Sequence, residues 1–206
     1  MIIENIEYKN FIREKVLLYK PDFDLEILEI GLEQFDVSYC AGGDFILKAG
    51  EICKRIFMVE NSITRCYFTD RDGDEKTIWL EPEKMVITDY ESFNTQTISR
   101  CDILCYENTA VFSIERENLM MLYVKYHDWA LFGLLVMEEH YCRVLEFRNI
   151  ISFNNANENY HLLESYFSQY LDKVPLKHLA SWLNISAVHL SRIRKQKEKL
   201  LTINKC

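Results

Sequence analysis

The chain has 206 residues, 49% of them hydrophobic, and a net charge of −8; this is enough apolar material for a sizeable core plus a small second module, and it excludes a disordered chain. No apolar run approaches the ~20 residues that a bilayer span needs, and the start, Met1-Ile2-Ile3-Glu4, lacks the basic and apolar regions of a signal peptide; a cytoplasmic protein with no membrane contact is expected. Seven widely spread cysteines, with no Cys-x-x-Cys spacing, predict free buried thiols.

Residues 4–32 carry helical spacing, divided by Pro21 into two short helices. From Phe35 to Ile114 the chain reads as short strands: Phe35–Tyr39, Asp44–Leu47, Arg55–Val59, Ile63–Phe68, Thr77–Leu80 and Ala110–Ile114. The turns between them hold Gly42-Gly43, Ala49-Gly50 and Asp70–Asp74, the last a hairpin tip. Many short strands at regular spacing predict a barrel or sandwich.

Helical periodicity then runs from Glu117 to Ile150, with a break expected near Tyr126-His127-Asp128. Leu134, Met137, Tyr141, Val144 and Leu145 form an apolar stripe at three-to-four spacing, which either packs on its own domain or pairs with a second copy. The polar stretch Ser152–Asn159 marks a boundary, a helix is expected over Tyr160–Leu171, and Pro175 opens the next one.

The segment Leu176–Lys195 has the spacing of a helix-turn-helix. Leu179 and Leu183 share one face of the first helix, small Ala180 admits a close crossing, and Leu190 and Ile193 face them from the second helix. Ile185 plugs the turn, Asn184 stands where a left-handed residue is needed, and Ser186 is placed to cap the second helix. Ser186, Ala187, Val188, His189 and Arg192 then occupy the end of that helix that enters the major groove in this motif, Arg192 being suited to a guanine. Lys177, Arg194, Lys195 and Lys197 are assigned to phosphates. Charge agrees: residues 176–206 hold seven basic side chains and one acid, a balance of +6 that leaves −14 on the first 175 residues. Leu200–Cys206 is too short for a full β-hairpin wing after the motif.

With these features in place, the chain resembles the Crp-Fnr family of bacterial regulators over nearly its whole length. The resemblance rests on Gly43–Glu51, Ile56–Val59 and the Asp72-Gly73 hairpin, on Asp89–Phe93 and Tyr106–Val111, and on Leu190–Lys195. It implies an α+β protein with three parts: an N-terminal double-stranded β-helix (β-roll) sensor domain at 1–115, long dimerisation helices at 116–151, and a C-terminal helix-turn-helix domain at 152–206 that binds double-stranded DNA. It also implies a homodimer in which the helix from Asp128 to Ile150 pairs with its twin.

Family members that bind cyclic AMP hold its phosphate on a short helix with a Gly-Glu pair and an Arg about ten residues on. Here Thr88-Asp89 stand at the Gly-Glu position and Ser99 at the Arg position, with Arg100 one residue off, on the opposite face of a strand. Asp89 is expected to face the phosphate position with Ser99 unable to neutralise it, so cyclic AMP is not expected to bind. A pocket near Trp79, Thr88, Asp89, Tyr90, Ser99 and Arg100 is expected either to take an unknown small effector or to be filled by Trp79, Tyr90 and Phe93. The cysteine cluster of the family's iron-sulfur oxygen sensors is missing, and neither metal-site spacing nor an enzyme motif is found; no cofactor and no catalysis are expected. A cupin-like enzyme would need strand histidines, and Phe35–Ile114 contains none. The alternative is a ligand-binding signalling module whose C-terminal helices contact other proteins.

Overall fold

The computed structural model describes residues 2–153, 155–168 and 171–203. Two helices, α1 (Ile2–Tyr19) and α2 (Leu25–Leu32), precede eight strands. The Asp24 carboxylate starts α2 by accepting from the Glu26 and Ile27 amides at 2.9 and 3.1 Å.

The strands are β1 (Phe35–Cys40), β2 (Phe45–Leu47), β3 (Arg55–Val59), β4 (Thr64–Thr69), β5 (Glu75–Glu81), β6 (Val86–Ile87), β7 (Asp102–Cys105) and β8 (Thr109–Glu115). They form two antiparallel four-stranded sheets, ordered β1-β8-β3-β6 and β2-β7-β4-β5. The six strands read from sequence are present; β6 and β7 are additions. At the β4–β5 tip the Asp70 carboxylate accepts from the Asp72 and Asp74 amides, and Gly73 takes φ +88°, a left-handed conformation that a side chain would strain. A short helix, α3 (Tyr90–Thr95), bridges β6 and β7.

Helix α4 (Arg116–Lys125) is followed at once by α5 (His127–Phe153), so the break falls at Tyr126. The start of α5 is anchored on α2. Trp129 is fully buried, its indole N–H donates to the Ile27 carbonyl at 3.0 Å, and a Cβ on Gly31 would lie 2.0 Å from its ring. Phe132 and Val136 continue this buried face and share one apolar cluster with Leu28, Leu32, Phe112 and Ile114.

Helix α6 (Ala156–Phe167) begins earlier than the expected Tyr160. The supposed linker is its N-terminus: the Asn155 side chain accepts from the Asn157 and Glu158 amides, while Glu158 accepts from the Asn155 amide, a reciprocal capping box. Helices α7 (Leu176–Trp182) and α8 (Ala187–Ile203) complete the chain, with Pro175 as the residue that caps α7 and not its first helical position. Asn154 of the polar stretch, Gln169 and Tyr170, and Asn204, Lys205 and Cys206 lie outside the described residues. Among the described residues no helix is long and apolar enough to cross a membrane.

Candidate nucleic-acid interface and sensor cavity

The turn between α7 and α8 follows from its side chains. Leu183 ends α7, Asn184 takes φ +54°, the Ile185 amide donates to the Ala180 carbonyl at 3.0 Å and the Asn184 amide to Ser181 at 3.1 Å. This is a Schellman closure, with Asn where Gly is commonest. Ser186 Oγ accepts from the His189 amide at 3.1 Å, capping α8. Leu179, Ala180, Leu183, Leu190 and Ile193 are buried together, and Ile185 packs against them.

That packing leaves Ser186, Ala187, Val188, His189 and Arg192 on the outer face of the first turns of α8, with Val188 62% exposed. Lys177 and Lys195 are exposed beside them. The remaining two basic residues assigned from sequence are engaged within the protein. Arg194 Nε donates to Tyr160 Oη at 3.1 Å and its guanidinium lies over the Tyr160 ring, while Lys197 pairs with Glu164. Both therefore tie α8 to α6, a use that charge alone does not reveal.

The helix-turn-helix is docked on the open edge of β5. Ser181 Oγ accepts from the Thr77 amide at 2.9 Å and donates to the Glu75 carbonyl at 3.1 Å, so one hydroxyl stands in for a neighbouring strand. Nearby, His178 Nδ1 and Tyr106 Oη are 2.8 Å apart, and His178 Nε2 lies 3.6 Å from the Glu75 carboxylate. Burial, followed by the charges of Arg65 and Lys177, pushes His178 down to about 4, so the ring is neutral at pH 7. Arg65 is almost wholly buried, held by Glu75 at 2.6 Å and by Thr77 Oγ1 at 3.0 Å, and it covers the Tyr67 ring. Ile63 and Leu80 of the roll enter the same apolar cluster as Leu163, Leu179 and Trp182. None of these contacts was legible in the sequence, although an Arg within the apolar run Thr64–Tyr67 is an anomaly that could have drawn notice.

Between the roll and α5 lies a cavity of about 250 Å3, lined by Trp79, Thr88, Asp89 and Tyr90 together with Cys66, Glu81, Cys101 and His140. Four of the six expected pocket residues thus meet. Ser99 is buried behind Asp89, and Arg100 is 82% exposed at its side chain, paired at 3.5 Å with Glu91 on the surface. Phe93 is core, whereas Trp79 and Tyr90 form walls, each ring within about 6 Å of His140.

The Asp89 carboxylate at the edge of this cavity is held by the protein itself. One carboxylate oxygen accepts from the Glu91 and Ser92 amides at 3.1 and 3.2 Å, and the other from Ser99 Oγ at 2.7 Å. The amides that begin α3 are thereby occupied by the protein's own anion. At the floor of the cavity Glu81, 2% exposed, is held by Arg143 of α5 at 2.5 Å; burial pushes its carboxyl up and the guanidinium draws it back. Trp79 lies 5.4 Å from Phe147 of α5, and Phe147 stacks on Trp182 of α7 at 4.5 Å, a continuous aromatic path from cavity wall to helix-turn-helix.

On the far face of α5, Leu134, Met137, Tyr141 and Leu145 are exposed, Tyr141 by 61%. Four of the five stripe residues read from sequence are thus left exposed by the protomer, while Val144 is half-buried.

This architecture is that of the Crp/Fnr transcription regulators: a double β-sheet roll, a long helix and a helix-turn-helix. FixK2 of Bradyrhizobium japonicum superposes with a TM-score of 0.70 at 12% identity, over 81% of this chain and 85% of that one. A transcriptional regulator described as of the Crp/Fnr family from Eubacterium rectale gives 0.65 at 13%, over 86% and 85%. The Thermus thermophilus catabolite activator protein gives 0.51 at 16%, over 90% and 87%. At these identities the likeness is one of fold. No family model and no curated protein matches the sequence.

Proposed function

We propose that the chain is a sequence-specific DNA-binding transcription regulator, working in the cytoplasm as a homodimer, with no catalytic activity of its own. One observation carries the reading: the helix-turn-helix buries its apolar side and turns Ser186, Ala187, Val188, His189 and Arg192 outward at the start of α8, the end that meets base edges in this motif. Arg192 pairs with guanine, Val188 and Ala187 touch thymine methyls, and Lys177 and Lys195 hold phosphates. Residues 1–115 form the sensor, 116–151 the dimer helices and 152–206 the reading head.

The exposed stripe Leu134, Met137, Tyr141 and Leu145 supports pairing of α5 with its twin, since four large apolar side chains left in water along one helix face favour a partner. The cavity beside α5 supports effector control. A molecule seated against Trp79 and Tyr90 would press on Phe147 and, through it, on Trp182 of the reading head. Cyclic AMP is not that molecule in this reading, because Asp89 brings negative charge to the helix start where the resemblance places its phosphate, and the buried Ser99 brings no positive charge to neutralise it.

The test is footprinting of purified protein on the DNA upstream of its own gene. A protected, two-fold related sequence that survives competition by random DNA is expected. Equal binding to all DNA, or none, together with capture of a protein by α7 and α8, would replace this reading with the protein-contact module.

A further inference from the structure

Two pairs of cysteines lie near enough to shift each other's titration: Cys66 with Cys101, and Cys40 with Cys105. Their surroundings differ. Cys105 is fully buried, and neither Cys40 nor Cys105 lines the cavity beside α5. Cys66 and Cys101 both line it, so a small molecule that enters meets both residues.

The sheet explains the meeting. Cys66 on β4 is opposite Ile103 on β7, and Cys101, two residues before Ile103, falls on the same face. Diagonal neighbours of this kind have Cα atoms roughly 7–8 Å apart in a regular ladder, slightly more than a disulfide spans. Cys101 precedes β7 and is outside the ladder, so closing that gap breaks no strand pairing.

We propose that Cys66 and Cys101 are a reversible redox pair of the sensor cavity, closing to a disulfide when a hydroperoxide enters. Cys101, the more exposed of the two, attacks first. Its sulfur bonds to the terminal peroxide oxygen, the O–O bond breaks, and the departing oxygen takes the thiol proton to leave as an alcohol, or as water from hydrogen peroxide. The Cys66 sulfur then attacks the sulfenic sulfur; the S–S bond forms, the S–O bond breaks, and hydroxide leaves as water with the proton of Cys66. Two thiols lose two electrons and one peroxide gains them, and a dithiol reductant reverses the change by exchange. The Cys66 thiol, donating to Cys101, holds Cys101 below the usual thiol range, while that same contact and burial push Cys66 up, which agrees with this order.

The consequence reaches α3. Ser99 Oγ accepts from the Cys101 amide and lies 3.0 Å from the Cys101 carbonyl while bonding Asp89, so drawing Cys101 toward β4 pulls on the carboxylate that caps the helix. The redox pair does not depend on the DNA-reading proposal, because its test reads only cysteine chemistry.

The full chain, reduced and desalted, is treated with one equivalent of hydrogen peroxide, and its thiols are mapped by differential alkylation and fragment mass spectrometry. A Cys66–Cys101 link with the loss of two hydrogens, formed ahead of any Cys40–Cys105 link and undone by dithiothreitol, is the expected result. In Cys66→Ser, a dimedone adduct should appear on Cys101. Cys66 and Cys101 both remaining alkylatable while the exposed Cys142 oxidises would overturn the proposal, as would closure of both pairs at one rate. The wild-type map decides the matter even if the serine variant does not fold.

Discussion

Ser99 Oγ donates across 2.7 Å to Asp89 Oδ2, joining the cap of α3 to the segment that leads into β7. The amides that begin α3, those of Glu91 and Ser92, are bonded to the other oxygen of the same carboxylate. Calorimetry at millimolar cyclic AMP should therefore show no heat of binding, and micromolar affinity would mean that Asp89 is displaced on binding. Asp89→Ala should lower stability by about 1 kcal/mol, the usual effect of losing a helix cap, read by urea denaturation.

A charge in the exposed stripe of α5 should prevent pairing without disturbing the protomer. Leu134 is 54% exposed, so Leu134→Glu leaves the core untouched. Light scattering should give a dimer mass for the wild type and a monomer mass for the variant, with unchanged circular dichroism. A variant that stays dimeric would place the interface elsewhere.

The hydroxyl that closes the edge of β5 can be removed alone. Ser181→Val leaves the Thr77 amide facing a methyl group, and a donor deprived of its partner at such a site costs about 1–3 kcal/mol. The Thr77 amide should also exchange its hydrogen faster. Unchanged exchange would show that the helix-turn-helix is not docked there in solution.

His178 gives the docked arrangement a pH dependence. Its pKa in the fold is about 4, below the value of about 6.5 it regains in the unfolded chain, so the unfolded state binds the extra proton between those values. Stability from this group is complete above about pH 6.5 and is lost as the pH falls toward 4. The sign follows from a ring that must be neutral when buried near Arg65 and Lys177. His178→Gln should flatten the decline measured by thermal melts between pH 7 and pH 4, and an equally steep decline in the variant would assign it to other groups.

Local pattern explains what could be read in advance. The helix-turn-helix was legible because six positions, from Leu179 to Ile193, each answer a local demand, and Asn184 and Ser186 carry the turn in their own chemistry. The longer strands were legible as apolar and β-branched runs bounded by turn signals, whereas β6 offers two residues, too few for period two to be visible, and β7 only four. Asn155 and Glu158 stood in sequence at capping-box spacing, but a run of asparagines reads first as a linker. The roles of Asp89, Arg194 and Lys197 depend on Ser99, Tyr160 and Glu164, partners ten or more residues away that only the tertiary fold supplies. The docking of Ser181 on β5 is of the same kind.

The central claim is that the outer face of α8 reads bases, and Arg192 and Lys195 test it against each other. Arg192→Ala should weaken binding to the selected site by about 1–3 kcal/mol and hardly change binding to random DNA, measured by fluorescence anisotropy at fixed salt. Lys195→Ala should weaken both alike and make the salt dependence shallower by about one unit per contact. If Arg192→Ala leaves site preference intact while Lys195→Ala alters it, this face of α8 does not enter the groove and the account is contradicted.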